Sequence, residues 1–329
     1  MPSFCRHNRL VQNCPICARE QAVEPRPVVS SSAPRVNLPR TPAPGTPREG
    51  PAPGGTRRAS GVRVRRLVRG SDDGYRSALV PGLRSGSDSE LLAQELAFAA
   101  DRLRRMAADP PGLYAELADP AAELEDRLWL AFLIAYLCPL PDGDPFRAIA
   151  QARTPWRAEE HPPLQDAELG PRSPHDPRRG SRTIDAYRAW AGRAGSQQAA
   201  FTGDPPWTAE RRFARMLERL ALPGFDRDAR YELLVSLGAL GVLPVAAGTL
   251  ALGGDNEVTV AAKRALGIGD PLLLERRARA LAQECGIPLA ALDLGFYNWE
   301  RGTRLRMGLD PAAEPEPETL HGVRQALSL

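Results

Sequence analysis

Apolar residues recur at helical spacing along most of the chain after about residue 62, and almost no stretch alternates apolar and polar residues as a strand does. A first long helix is predicted from Ser87 or Asp88 to about Ala107. Four leucines are expected on its inner side: Leu91, Leu92, Leu96 and Leu103. Residues 121–137 are apolar on most faces, which predicts a buried central helix. Because further runs of the same period follow at 182–194 and 207–221, the predicted fold class is all-α.

The composition divides the chain into four segments. They are a cysteine-rich segment at 1–20, a Pro- and Arg-rich segment at 21–61, a helical domain at 62–312 and a tail at 313–329. The second segment has no apolar period and is predicted to be a disordered linker. The tail is acidic, rich in Glu and Pro, and ends in a short predicted helix.

The net charge is only +3 over 329 residues, so any surface that binds nucleic acid must be local. One local basic run ends the linker and contains Arg57, Arg58, Arg63, Arg65, Arg66 and Arg69. Such a run is typical of an electrostatic arm for phosphates, and equally of a linker that keeps a protein in solution. The N-terminus is polar and no apolar run can span a bilayer, so the expected location is the cytoplasm, in association with the nucleoid.

The first 17 residues contain three of the five cysteines and one histidine, in the spacing Cys-x-His-x6-Cys-x2-Cys. The candidate metal ligands are Cys5, His7, Cys14 and Cys17. Three thiolates and an imidazole suit a closed tetrahedral Zn²⁺ site, whose metal would supply the folding energy that so short a segment lacks. A redox Cys-x-x-Cys is the rival interpretation, but it requires a thioredoxin-like context that the sequence lacks. The spacing resembles short zinc knuckles beside DNA-binding domains, which implies a structural Zn²⁺.

A Gly-x-Gly turn lies between two helical runs late in the domain, where the sequence from residue 266 reads Leu-Gly-Ile-Gly-Asp-Pro. Asp270 is a suitable N-cap for the second run, and Gly286 is a suitable left-handed C-cap at its end. Glycines allow a ligand close to the backbone, and the amides that begin a helix carry partial positive charge. The turn therefore predicts either a phosphate-binding hairpin or a plain turn between packed helices. The residues predicted to contact DNA are Lys263, Arg264, Leu266, Gly267, Ile268 and Gly269.

A second motif follows the hairpin, in which Gly286-x-Pro288 precedes Asp293 by four residues. Together with the hairpin it resembles the endonuclease III-like helix-hairpin-helix DNA glycosylase superfamily, which implies a multi-helix domain and Asp293 as the catalytic carboxylate. The chain departs from that pattern because no lysine follows the hairpin, and its only lysine, Lys263, precedes it. The resemblance therefore argues against a strand-cutting lyase.

Asp293 also has a purely structural interpretation. Leu289, Leu292, Phe296 and Trp299 read as one apolar helix face, which would leave Asp293 on the flank of an ordinary helix. Burial would raise the pKa of its carboxyl and a neighbouring Arg301 or Arg304 would lower it, so no net direction is predicted. The adjacent His175 and Asp176, in the long loop 157–181, are not expected to form a catalytic pair.

The overall layout from about Arg66 to Arg304 resembles one branch of that superfamily, the alpha-glutamyl/putrescinyl thymine pyrophosphorylases. The resemblance implies a DNA-binding enzyme that replaces pyrophosphate on a hydroxymethyluracil base with an amine, so a small amine is the implied co-substrate. Such chemistry requires an exposed base, commonly reached by base flipping. Two alternatives remain open: a monofunctional DNA glycosylase of base repair, and a non-catalytic zinc-containing DNA-binding protein.

Overall fold

The computed structural model describes residues 70–158 and 161–329, and these residues form twelve α-helices, one 3₁₀ turn and no β-strand. The helices are α1 (Gly86–Ala108), α2 (Leu113–Ala118), α3 (Leu124–Leu137), α4 (Arg147–Ala152), α5 (Arg182–Arg193), α6 (Gln197–Thr202), α7 (Ala209–Arg219), α8 (Arg227–Ala239), α9 (Glu257–Leu266), α10 (Pro271–Glu284), α11 (Ala291–Arg301) and α12 (Pro317–Leu327). The 3₁₀ turn spans Pro177–Arg179. The predicted all-α fold is confirmed for the described residues. The predicted zinc knuckle and linker lie outside them.

The core is organised around two long helices, α3 and α1. Every residue of α3 from Leu128 to Leu137 is buried, so the prediction of a central buried helix is confirmed. This helix packs against α6 and α8, while α1 packs against α11 and α12. Aromatic rings fill the space beside α3, where Phe132 stacks on Tyr187 with ring centroids 4.0 Å apart. Burial of each large apolar side chain contributes about 1.5–3 kcal/mol, so this layer is a major source of stability.

The start and the inner face of α1 differ slightly from the prediction. Its N-cap is Ser85, whose hydroxyl accepts a hydrogen bond from the amide of Asp88 at 3.4 Å, so the helix begins earlier than expected. Leu92, Leu96 and Leu103 are buried as predicted, but Leu91 is 47% exposed. At about 100° per residue, Leu91 lies well outside the arc that those three leucines share. Its assignment to the inner side was therefore wrong.

One helix that the sequence pattern did not predict, α6, owes its position to a carboxylate from α3. Glu125 accepts hydrogen bonds from the amides of Gln197 at 3.0 Å and Gln198 at 2.8 Å, which are the first two residues of α6. Free amides at a helix start need such acceptors, and here a distant residue supplies them. Ser196 adds a local N-cap, since its hydroxyl accepts a hydrogen bond from the amide of Ala199 at 3.0 Å, so only the part of the cap made by Glu125 is invisible to local sequence patterns.

Two further features concern the cysteines and the possibility of a membrane-spanning helix. Cys138 and Cys285, the cysteines within the described residues, are free and buried, and burial raises the pKa of both thiols to about 12. Thiols of this kind stay protonated and act as small apolar groups. Within residues 70–158 and 161–329, no helix has the length and apolar character needed to cross a membrane.

Candidate functional site

The predicted hairpin is present as two helices joined by a short turn. Helix α9 ends at Gly267, which has φ of 64° and donates its N–H to the carbonyl of Lys263 at 3.0 Å. Helix α10 begins after Asp270, whose carboxylate accepts the amide of Leu273 at 2.9 Å. Gly286 at the far end of α10 has φ of 64°. The helix boundaries and the N-cap predicted for this stretch are confirmed, while the C-cap of α10 is Cys285 and Gly286 is the left-handed residue that follows it.

The turn presents its backbone to solvent. Gly267 and Gly269 are exposed, Ile268 is half-buried against the core, and the Leu266 side chain is fully buried. Among the described residues, nothing accepts a hydrogen bond from the amides of Gly269 or Leu272. Exposed amides at a helix start are the groups that bind phosphate oxygens.

The charged residues near the hairpin offer less attraction for phosphate than their number implies. Arg264 forms an ion pair with Glu300 at 3.0 Å and lies over the ring of Trp299, 3.6 Å from its centroid. Lys263 is half-buried. Asp270 places a negative charge beside the free amides. Binding of phosphate at this turn must therefore rest mainly on backbone groups.

Asp293 lies in the first turn of α11 and is only 3% exposed. One carboxylate oxygen accepts a hydrogen bond from Arg172 at 2.8 Å, and the other accepts one from Arg227. The expected partners were wrong, because Arg301 pairs with Glu257 at 3.0 Å. Arg304 likewise pairs elsewhere, with Glu95 at 2.8 Å. The position on a helix flank is also excluded, since the side chain is fully enclosed.

The two arginines decide the protonation state of Asp293. Burial by itself would raise the pKa of this carboxyl, but the charges and hydrogen bonds of Arg172 and Arg227 outweigh burial and hold the pKa below its usual range. The expectation of no net direction was therefore wrong. The carboxylate stays ionised at neutral pH and is a weak proton acceptor.

The ion pairs extend beyond Asp293 into a cluster that includes Asp228, which lies 3.0 Å from Arg227 and 3.6 Å from Arg172. The guanidinium of Arg172 also lies 4.7 Å from the ring centroid of Tyr297, and that of Arg227 lies 4.3 Å from the ring of Tyr231. Even so, Nε and Nη1 of Arg172 and Nε of Arg227 have no acceptor among the described residues. Arg227, 12% exposed, forms the more open edge of the cluster.

A short connection links this cluster to the hairpin. Arg227 donates a hydrogen bond to the carbonyl of Leu250. The amides of Leu250 and Leu252 donate to the carboxylate of Glu275, at 2.9 and 2.8 Å, and Glu275 lies in the second turn of α10. The helix that follows the hairpin and the carboxylate of Asp293 are therefore joined through one bonded segment.

The sequence did not reveal the partners of Asp293. Arg172 lies in the long loop 157–181, and only the length of that loop marks it as functional. Arg227 lies outside that loop, and nothing in the sequence around it indicates a functional role. His175 of the same loop bonds to the hydroxyl of Tyr136 at 2.8 Å through Nδ1, so it forms no pair with Asp176, as expected.

The candidate zinc ligands Cys5, His7, Cys14 and Cys17 lie outside the described residues. Among the residues that are described, no three His, Cys, Asp or Glu side chains group as a metal site would require. A separate apolar cleft of about 460 Å³ lies between α1, α8 and the start of α11. Its lining includes Leu103, Leu234 and Leu289, but not Asp293.

Comparison of the chain with models of known protein families, with curated proteins and with solved structures gives no match.

Proposed function

We propose that the protein is a DNA-binding enzyme that acts on a modified thymine or uracil base and replaces pyrophosphate on a hydroxymethyluracil with an amine. The hairpin holds the DNA backbone and the Asp293 cluster lies at the reacting group. The observation that carries the proposal is the pair of buried arginines at Asp293, whose spare N–H donors have no acceptor among the described residues.

Spare guanidinium donors favour a substrate that carries phosphoryl oxygens. A guanidinium binds phosphate through two parallel hydrogen bonds, and it keeps its charge even when it is buried. Leaving such donors without acceptors costs about 1–3 kcal/mol for each group. These atoms are enclosed, so a leaving pyrophosphate would reach them only once the Arg227 edge opens.

The proposed reaction balances without a redox partner. The amine nitrogen attacks the methylene carbon of the base, the bond from that carbon to the pyrophosphate oxygen breaks, and pyrophosphate leaves with the electron pair. The amine then loses one proton to an acceptor. Positively charged groups near the leaving oxygens stabilise the charge that develops there.

Asp293 has a defined part in this scheme. Its lowered pKa and its two guanidinium partners make it a poor base, so the proton of the amine must go to another acceptor. The carboxylate instead orients Arg172 and Arg227 and, together with Asp228, balances their two positive charges. In this role Asp293 is a positioning residue.

A second candidate function, non-catalytic DNA binding, is favoured by a specific observation. Asp293 is 3% exposed and both of its oxygens are occupied, which is also how a purely structural ion pair looks. A monofunctional DNA glycosylase remains the other alternative, since it would use the same hairpin and a carboxylate near the sugar.

Purified protein incubated with three oligonucleotides would separate these functions. The oligonucleotides carry uracil, hydroxymethyluracil or the pyrophosphate ester of hydroxymethyluracil. Each is incubated with and without a panel of small amines, and the masses of the products are measured by mass spectrometry. Amine-dependent loss of pyrophosphate supports the proposal. Loss of the whole base identifies a glycosylase, and unchanged DNA that still binds identifies the non-catalytic protein.

Substitution of Gly269 by Val is expected to weaken binding to duplex DNA by about 10–100-fold, since a hydrogen bond to a charged group contributes about 1.5–3 kcal/mol. A Cβ at Gly269 meets no atom within 4 Å, so the fold accommodates valine while the side chain keeps phosphate from the backbone. Fluorescence anisotropy on several duplexes measures the loss. The loss should be equal on every sequence, because phosphate contacts carry no base information.

Two control variants make this measurement specific. Gly322→Val in α12 also adds a side chain where no atom lies within 4 Å of the new Cβ, and it should leave affinity unchanged. Asp270→Asn keeps an N-cap but removes the negative charge beside the amides, so it should strengthen binding. A loss confined to one DNA sequence, or parental affinity in Gly269→Val, would contradict the role of the hairpin.

The zinc prediction is tested by elemental analysis of the freshly purified chain, which should contain about one equivalent of zinc. Replacing Cys14 and Cys17 together by serine should remove it, because two of the four ligands are lost. Zinc content that is unchanged in the double variant would rule out this site.

A further inference from the structure

Three arginines form a line along the outer face of α7. Arg211, Arg215 and Arg219 are spaced by four residues, so they share one face of the helix and span about 12 Å along its axis. All three are exposed. Arg211 and Arg219 approach the ring of Trp207, at 5.9 and 5.2 Å from its centroid. The face therefore combines regularly spaced positive charge with an aromatic side chain.

A fourth arginine faces the same region from the end of α5. Arg193 and Arg219 line an open cleft of about 380 Å³, together with Trp190, Ala194 and Ala200. Neither guanidinium forms an ion pair or a hydrogen bond with any residue that the structure describes. Two unpaired guanidiniums at one cleft repel each other, and an anion between them removes that repulsion.

We propose that this surface, made of Arg193, Arg211, Arg215 and Arg219, binds the phosphate backbone of a nucleic-acid strand, separately from the hairpin. The cleft receives one phosphate and the line along α7 contacts the phosphates that follow. The inference rests on nucleic acid being the partner, as in the proposed function, but not on the hairpin or on any chemistry at Asp293.

The charges around the surface favour this partner. Residues 190–221 contain five arginines and three carboxylates, in a chain whose whole net charge is +3. The carboxylate nearest to the line, Glu218, pairs with Arg215 at 3.0 Å, and both side chains are more than half exposed. Such a surface pair contributes about 0–1 kcal/mol, so a phosphate readily replaces Glu218. A guanidinium that stacks on Trp207 also keeps its N–H groups directed outward.

The salt dependence of DNA binding tests the proposal with the full-length chain and a duplex of about 20 base pairs. Each phosphate contact contributes about 0.9 to the slope of log affinity against log salt concentration. The triple variant Arg193→Gln, Arg215→Gln, Arg219→Gln should therefore lower the slope by about 2.7. Between 50 and 200 mM salt, the parental affinity should fall about 40-fold more than that of the variant.

A matched control removes the same charge elsewhere. Arg76, Arg147 and Arg153 are exposed arginines that pair with Asp72, Glu168 and Glu116, and their triple change to Gln should leave the slope at the parental value. An unchanged slope in the α7 variant overturns the inference, as does an equal fall in both triple variants. Parental affinity in Gly269→Val, with a reduced slope in the α7 variant, would refute the hairpin and keep this surface.

Discussion

Asp293→Asn is expected to lower the free energy of unfolding by about 3–5 kcal/mol, because it removes one of the two carboxylates, Asp293 and Asp228, that balance two buried guanidiniums. Arg172 is 3% exposed at its side chain and Arg227 is 12% exposed, so water cannot replace the lost charge. A loss of this size is a large part of the 5–15 kcal/mol that typically stabilises a domain. Urea denaturation followed by circular dichroism measures it.

The control is an acidic residue in an exposed ion pair. Glu116→Gln breaks the pair with Arg153, in which both side chains are more than 40% exposed, so the change should stay below about 1 kcal/mol. If Asp293→Asn were as mild as this control, the buried cluster would contribute nothing beyond an ordinary surface pair.

The pH dependence of this effect has a definite sign. The pKa of Asp293 in the folded chain lies below its ordinary value of 3.8, so its contribution to stability is complete above that value. The contribution is lost as the pH falls through the folded pKa, where the carboxyl becomes protonated. The difference in stability between the parent and Asp293→Asn should therefore be constant near neutral pH and shrink in acid.

The second large effect concerns turnover. With a substrate identified from the oligonucleotide panel, Asp293→Asn is expected to reduce the rate by about 10²–10³-fold, because the arginines that stabilise the leaving group lose the carboxylate that orients them. Single-turnover rates measured at a temperature where the variant is fully folded isolate the chemical step. The dissociation constant for duplex DNA should change far less than the rate, since Gly267 and Gly269 are untouched.

A double variant separates the effect on rate from the effect on folding. Asp293→Asn with Arg172→Met restores the charge balance of the cluster, because Arg227 and Asp228 then remain as one ion pair. Stability should therefore recover in part while the rate stays low. Turnover at the parental rate in either variant would show that Asp293 is structural only.

Local chemistry made the hairpin predictable and tertiary packing made the Asp293 cluster unpredictable. Asp270 and Gly267 act through their own neighbours in the chain, so a spacing rule identifies them. The partners of Asp293 lie 121 and 66 residues away from it along the chain. No periodic pattern in a sequence indicates contacts between residues so far apart. The sequence of a long loop also does not show whether an arginine in it is exposed or buried.

The same limit explains the smaller differences. Helix α6 is only 6 residues long and depends on Glu125 from another helix, so its own sequence carries a weak signal. Leu91 adjoins the leucine stripe in sequence but lies about 100° away from it around the helix, and it is exposed. A sequence pattern therefore predicts the period of a helix more reliably than it predicts how much of the helix surface is buried.

The bonded segment between Glu275 and Arg227 makes the hairpin and Asp293 thermodynamically linked. Glu275 holds the amides of Leu250 and Leu252, and Arg227 holds the carbonyl of Leu250. Any shift of α10 on binding DNA therefore changes the electrostatic environment of Asp293. Thermodynamic linkage then requires that a change of charge at Asp293 alters the free energy of DNA binding by the same amount. The affinity of the protein for DNA should then vary with the protonation of Asp293, so proton uptake and DNA binding become one coupled equilibrium.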